Sequence, residues 1–181
     1  MLTSSTIVDY VWFVFVLYWL IVARRAQETA QKRSQNLLVV VVALVFVFLA
    51  VRSKISFGMF AFSPVVQNIG AIICILGLAF AVWARIYIGR SWGMPMTVQS
   101  EAELVTSGPY AFVRHPIYTG LITAMIGSLL VEGFLWVIVL VVVGGYCIYS
   151  FKVEERLMLK QFPDKYPQYM KRTKSFIPFL Y

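Results

Sequence analysis

The chain has 181 residues, of which 60% are apolar and only 13% charged, and it carries a net charge of +8. A soluble domain holds roughly a quarter charged residues, so a soluble globule is excluded and apolar surface must face lipid. At about 20 residues per crossing there is room for about four to six helical spans, and none for a separate soluble catalytic domain.

The basic excess does not form one solvated face of the kind nucleic acid binds; Lys and Arg interrupt apolar segments, the pattern of a membrane protein with anionic lipid headgroups as partners. The first residues, Met1 to Ser5, lack the basic region of a cleaved signal, so the first apolar segment is expected to remain. Five apolar segments follow: Ile7–Ala23, Leu37–Val51, Val65–Ile88, Ile117–Val131 and Phe134–Phe151. The second and fourth have 15 residues each, about 22 Å of helix against a hydrocarbon core of about 30 Å. Such helices must borrow flanking residues, thin the bilayer or pack inside a bundle.

Taken as five spans, the segments place four basic residues after the first (Arg24, Arg25, Lys32, Arg33) and three around the third loop (Arg85, Arg90, Arg114) on one side. Seven in the tail, from Lys152 to Lys174, join them, which makes fourteen of sixteen; Arg52 and Lys54 fall opposite. The prediction is an all-α integral membrane protein with about five transmembrane helices, its N-terminus outside and its C-terminus cytoplasmic. Residues 1–64 hold two N-terminal helices and 65–181 a core of three helices plus a cytoplasmic tail. Glu132-Gly133 makes a tight hairpin between the last two spans, and Pro116 suits the first turn of a helix. Gly144-Gly145 permits close packing or a bend. Trp12, Trp19 and Trp136 read as members of an interfacial aromatic belt.

The hairpin brings the stretch entering it, Ser107–Gly120, opposite Lys152–Phe162 leaving it. The first contains the only histidine, His115, between Arg114 and Pro116 at a helix start, where backbone N–H groups are available to an acceptor. No second His or Cys lies nearby, so no metal is expected, and Cys74 and Cys147 read as buried free thiols. Glu154 and Glu155 are either surface partners of Arg156 and Lys160 or carboxylates turned to the hairpin mouth to bind a cation. Tyr110 and Tyr118 flank the histidine and are placed to stack on a flat or cationic ligand, whereas Tyr166 and Tyr169 read as belt residues.

The run Leu104-Val105-Thr106-Ser107-Gly108-Pro109-Tyr110 followed by Arg114-His115-Pro116-Ile117-Tyr118-Thr119-Gly120 resembles the signature of the isoprenylcysteine carboxyl methyltransferase family, much of it shared by phospholipid methyltransferases. Glu154-Glu155-x-Leu157, Phe162-x-Asp164-x-Tyr166-x-x-Tyr169 and Phe176-Ile177-Pro178 are similar to that family's tail, and Gly89-Arg90-Ser91-Trp92 to its Leu-Gly-x-x-Trp element. The resemblance spans about residues 85–181. It implies S-adenosylmethionine as cofactor in a cytoplasm-facing pocket formed by the loop before the fourth helix and the helical tail. By position Ala102, Glu103, Leu104, Val105, Tyr110, His115, Pro116, Ile117 and Tyr118 would line it. Glu154 would hold the cofactor's ammonium group, with Arg114 and Glu155 as second choices. Trp92 and Ser150 would adjoin the substrate. The eukaryotic prenylcysteine enzymes have arginine where this chain has Ser150, and the nearest cation, Lys152, lies about 200° round the helix.

The implied function is O-methylation of an isoprenylated cysteine carboxylate or similar lipophilic acid entering from the bilayer. Phospholipid ethanolamine N-methylation is the alternative, with His115 as base only for that amine acceptor. A sterol-type reductase is disfavoured because the Asn and Asp of its His-x-Asn-Tyr-x-Gly-Asp pattern are replaced in His115–Leu121; a non-enzymatic scaffold is the remaining reading. The expected site is the inner membrane of a prokaryote or the endoplasmic reticulum of a eukaryote.

Overall fold

The computed structural model describes residues 2–27, 62–91 and 103–176. These form α1 (Ser4–Gln27), α2 (Pro64–Ile88) running into a 3-10 turn (Gly89–Ser91), a short α3 (Pro109–Phe112), α4 (Pro116–Glu132), α5 (Leu135–Gln161) and α6 (Lys165–Arg172). Three stretches among them, Ser4–Val22, Pro64–Ile88 and Leu135–Gln161, are long and apolar enough to cross a membrane; α4 is apolar but shorter. Four of the five expected apolar segments therefore fall on helices, α1, α2, α4 and α5, and all but α4 have the length to cross. The segment Leu37–Val51, and with it Lys32, Arg33, Arg52 and Lys54 of the charge count, lies outside the described residues.

The helix ends follow local chemistry. Ser63 caps α2 by accepting the Val66 N–H at 3.5 Å, with Pro64 in the first turn where its missing N–H costs nothing. Gly89, at φ 55°, ends that helix, and Arg85 donates from Nη1 to the Gly89 carbonyl at 3.1 Å, supplying a donor where backbone N–H partners for the last carbonyls run out. Pro116 opens α4 as expected. The hairpin turn is Gly133-Phe134, one residue later than predicted, because Gly133 at φ 85° takes the left-handed conformation that stops α4.

The most extensive helix contact is antiparallel, between α2 and α4. Gly70 and Gly77 on α2 face Gly127 and Gly120 on α4, at the same seven-residue spacing. A Cβ on Gly77 would stand 2.6 Å from the Ala124 nitrogen, and one on Gly127 2.4 Å from the Cys74 nitrogen. Backbones that close exchange dispersion contacts without any large side chain, the mode that works where lipid already solvates apolar groups. By contrast, α5 continues through Gly144 and Gly145, and among the described residues no atom lies within 4 Å of a Cβ placed on either.

Helix α1 lays Val8, Trp12, Phe15, Val16 and Trp19 into the same core. The tryptophans are thus core residues rather than a belt: Trp12, Trp19 and Trp136 are 6%, 8% and 1% exposed. Small residues on α2 and α4 leave room above them that large rings fill. Trp12 stacks on Trp136 at 5.5 Å, and its indole N–H donates to Ser128 Oγ at 2.9 Å, satisfying the one polar atom the ring buries. Helix α4 has 17 residues, about 25 Å, and it packs against α1, α2 and α5, as a short apolar helix inside a bundle does.

Candidate functional site

Helix α5 does not stop at Phe151, the expected end of its apolar run, but continues to Gln161, so both glutamates ride on a rigid helix emerging from the bundle. Opposite them the chain enters α4 through a short sequence of constrained turns. Gly108, at φ 58°, lies flat against Tyr87, where a Cβ would come within 2.5 Å of the ring, and the Tyr87 hydroxyl meets Ser107 Oγ at 2.9 Å. After the single turn of α3, Val113 is extended and pairs in parallel with Lys174. The Arg114 N–H donates to the Lys174 carbonyl (2.8 Å) and the His115 N–H to the Ser175 carbonyl (3.1 Å). The C-terminal segment is thereby laid along the entrance to α4.

These constraints bring His115, Tyr118, Glu154 and Glu155 together. The Tyr118 hydroxyl donates to Glu154 Oε1 at 2.5 Å. The His115 ring stands between the acids, Nδ1 3.5 Å from Glu154 Oε2 and Nε2 3.4 Å from Glu155 Oε1. Burial alone would lower the His115 pKa, but hydrogen bonding and charge from the two glutamates overcome it, and the net shift is upward. Around the ring stack Tyr118 (5.9 Å between centroids, 26° between planes), Phe151 (5.2 Å) and Phe176 (6.3 Å), with Phe176 edge-on to Phe151 at 4.6 Å.

The acids differ in their partners. Glu155 receives Arg114 Nε at 2.8 Å in a pair whose side chains are 8% and 15% exposed, whereas Glu154 is 21% exposed. The rest of the Arg114 guanidinium is spent on the tail: Nη1 on the Thr173 and Met170 carbonyls, Nη2 on Ser175 Oγ at 2.6 Å. Arg114 and Glu155 therefore bind one another and the tail.

Tyr110 is buried, its carbonyl accepting from the Tyr169 hydroxyl at 2.5 Å. Burial, with Tyr169 beside it, pushes the Tyr110 phenol up, and burial pushes Tyr169 up to about 12, with Thr173 and Arg114 acting against the shift. Both stay protonated at neutral pH. Tyr166 and Tyr169, expected as belt residues, are the buried residues of α6 itself and brace the site.

Other expected lining residues lie further off. Glu103 is exposed, its N–H directed to Ser91 Oγ at 3.4 Å, while Leu104 and Val105 are half-buried. Pro116 is buried in the first turn of α4, and Ile117 packs into the main core. Ser150 is fully buried one turn before Glu154. Ala102 and Trp92 lie outside the described residues, as do Ile177 and Pro178. Sequence reasoning passed over Phe151, Thr173 and Ser175. Phe151 had a signal, since three residues before Glu154 is the same helix face; the other two had none.

Residues 66–165 match the family model described as phospholipid methyltransferase. Protein-S-isoprenylcysteine O-methyltransferase B of Arabidopsis thaliana is 29% identical over 119 residues, 64% of this chain and 60% of that protein. The cobalt-zinc-cadmium resistance protein CzcN of Cupriavidus metallidurans is 27% identical over 118 residues, 64% of this chain and 50% of that one. The chain thus spans between half and 60% of the length of these two relatives. The solved structure of a eukaryotic intramembrane Ras methyltransferase, an isoprenylcysteine carboxyl methyltransferase, shares the fold with a TM-score of 0.55 at 22% identity. The match covers 83% of this chain and 55% of that one.

Proposed function

The chain belongs to the phospholipid methyltransferase family, and from that premise we propose that it is an S-adenosylmethionine-dependent integral membrane methyltransferase acting on the carboxylate of an isoprenylated cysteine or a similar lipophilic acid. The observation that carries the reading is the Glu154 carboxylate, held by Tyr118 beside a cluster of aromatic rings at the mouth of the α4–α5 hairpin.

The donor set fits the cofactor. Its α-ammonium needs an anion, and Glu154 is the more exposed of the two acids; aromatic rings such as Tyr118 and Phe151 would suit its sulfonium. When bound, the cofactor supplies an electrophilic methyl group. Glu154 would bind and orient it, and the rings would exclude water.

A carboxylate acceptor is already ionised at neutral pH and needs no base. That suits a histidine whose two ring nitrogens face carboxylates and whose pKa is raised, because such a group holds its proton instead of accepting another. An amine acceptor must shed a proton, which makes phospholipid N-methylation, favoured by the family description, the second reading. The cations Lys152, Arg156, Lys160, Lys165, Lys171, Arg172 and Lys174 are all exposed at this end, which supports a cytoplasmic orientation against anionic lipid. The acceptor's chain would enter between the helices from the bilayer.

Transfer of a labelled methyl group to N-acetyl-farnesylcysteine and to phosphatidylethanolamine separates the readings. Label is expected in the first; label only in the second overturns the acid assignment. Calorimetry with S-adenosylhomocysteine in nanodiscs tests the cofactor independently, and absence of binding would return the chain to a non-enzymatic scaffold.

A further inference from the structure

Ser175 touches three of the four charged residues of the cluster. Its side chain accepts from Arg114 Nη2 at 2.6 Å and donates to Glu155 Oε1 at 3.2 Å, while its carbonyl accepts the His115 backbone N–H at 3.1 Å. Thr119 Oγ1 secures the next residue by donating to the Phe176 carbonyl at 2.9 Å. The hydroxyl has one hydrogen and uses it on Glu155, and it offers a lone pair to Arg114, so a single atom serves both.

The consequence is a division of labour between the acids. Glu155 Oε1 accepts from Arg114 Nε and Ser175 Oγ and is thereby fixed on the Nε2 side of the imidazole, 3.4 Å from that nitrogen, in a charge contact without a hydrogen bond. With that side compensated, Glu154 is not required as the sole counter-charge of His115. Were Glu155 free to swing away, a buried imidazole would draw Glu154 inward, in competition with any cation arriving from outside, since a buried charge left uncompensated is costly.

We propose that Ser175, acting with Arg114, is a positioning residue: it holds Glu155 against His115 and so leaves Glu154 aimed at the cofactor's ammonium group. This rests on the assignment of Glu154 to the cofactor, and the test is built to tell the two apart.

S-Adenosylhomocysteine affinity is measured by calorimetry in nanodiscs for wild type, Ser175→Ala and Ser175→Thr, alongside apo thermal unfolding and the KM values for cofactor and acceptor. Ser175→Ala is expected to weaken S-adenosylhomocysteine binding about fivefold, the effect of one hydrogen bond. The KM for the cofactor should rise in step while that for the acceptor stays level, and Ser175→Thr, which keeps the hydroxyl, should bind within about twofold of wild type. If Ser175→Ala does not fold, Ser175→Cys carries the same test at about half the amplitude, its thiol being a weaker donor and acceptor. Unchanged affinity in the alanine variant, or an equal loss for both ligands that threonine does not restore, overturns the positioning role. Failure of wild type to bind S-adenosylhomocysteine overturns the cofactor assignment instead.

Discussion

The two adjacent glutamates should separate by assay. Glu154→Gln keeps the shape and an acceptor for the Tyr118 hydroxyl but removes the charge. A charge-assisted hydrogen bond is worth about 1.5–3 kcal/mol, or about 10- to 150-fold in affinity. Because the Glu154 side chain is 21% exposed, water replaces part of what is lost, and the lower range, about 10- to 30-fold weaker S-adenosylhomocysteine binding, is expected. Glu155→Gln acts first on folding and, by freeing His115 to draw on Glu154, weakens binding only about fivefold, as for Ser175→Ala. It leaves Arg114, whose side chain is 8% exposed, without its counter-ion, and breaking a buried pair costs about 3–5 kcal/mol. Three further hydrogen bonds to Arg114 survive, so about 3 kcal/mol is anticipated, read as a lowered apparent unfolding temperature of the ligand-free protein in nanodiscs. Calorimetry and thermal unfolding on both variants decide the matter. Equal losses of affinity would show that the acids share one role; lost affinity with undiminished stability for Glu155→Gln alone would show that the carboxylates had been assigned the wrong way round.

Three other outcomes follow from the packing and the charges. Gly77→Ala forces a methyl group to within 2.6 Å of the Ala124 backbone nitrogen, so thermal unfolding should report a loss of about 1–3 kcal/mol. Gly145→Ala on α5, with no described atom within 4 Å of the added Cβ, should gain up to about 1 kcal/mol from helix propensity; equal effects would argue against close α2–α4 contact. Ser128→Ala strands the Trp12 indole N–H at a cost of about 1–3 kcal/mol, and Trp12→Phe in the same background should recover part of it; no recovery would mean that the hydrogen bond is not the cause. For His115 the folded pKa is raised above its unfolded value, so its contribution is complete below an unfolded pKa of about 6.5 and is lost as pH rises through the folded value. Unfolding temperatures across that window should fall for wild type relative to His115→Asn, and parallel curves would refute the charged pairing.

Local signals in the sequence were enough for four of the five apolar segments, for the helix start at Pro116 and for a hairpin turn at Gly133, because segment length, proline geometry and glycine's access to positive φ are properties of a few neighbouring residues. The short hairpin was also enough to bring Glu154 opposite His115. Tertiary structure alone decided what each residue meets there. Nothing local distinguishes Glu154 from Glu155; Arg114 claims the second through a tail in which Ser175 lies 61 positions away. Nothing local distinguishes a belt tryptophan from a core one, and Trp12 became core through Ser128, 116 positions on. Gly144-Gly145 suggested close packing in the sequence, yet among the described residues it is Gly70 and Gly77 that find glycines opposite. Periodicity and propensity say which face of a helix is apolar; partners, and hence the roles of individual charges, are set when distant segments pack.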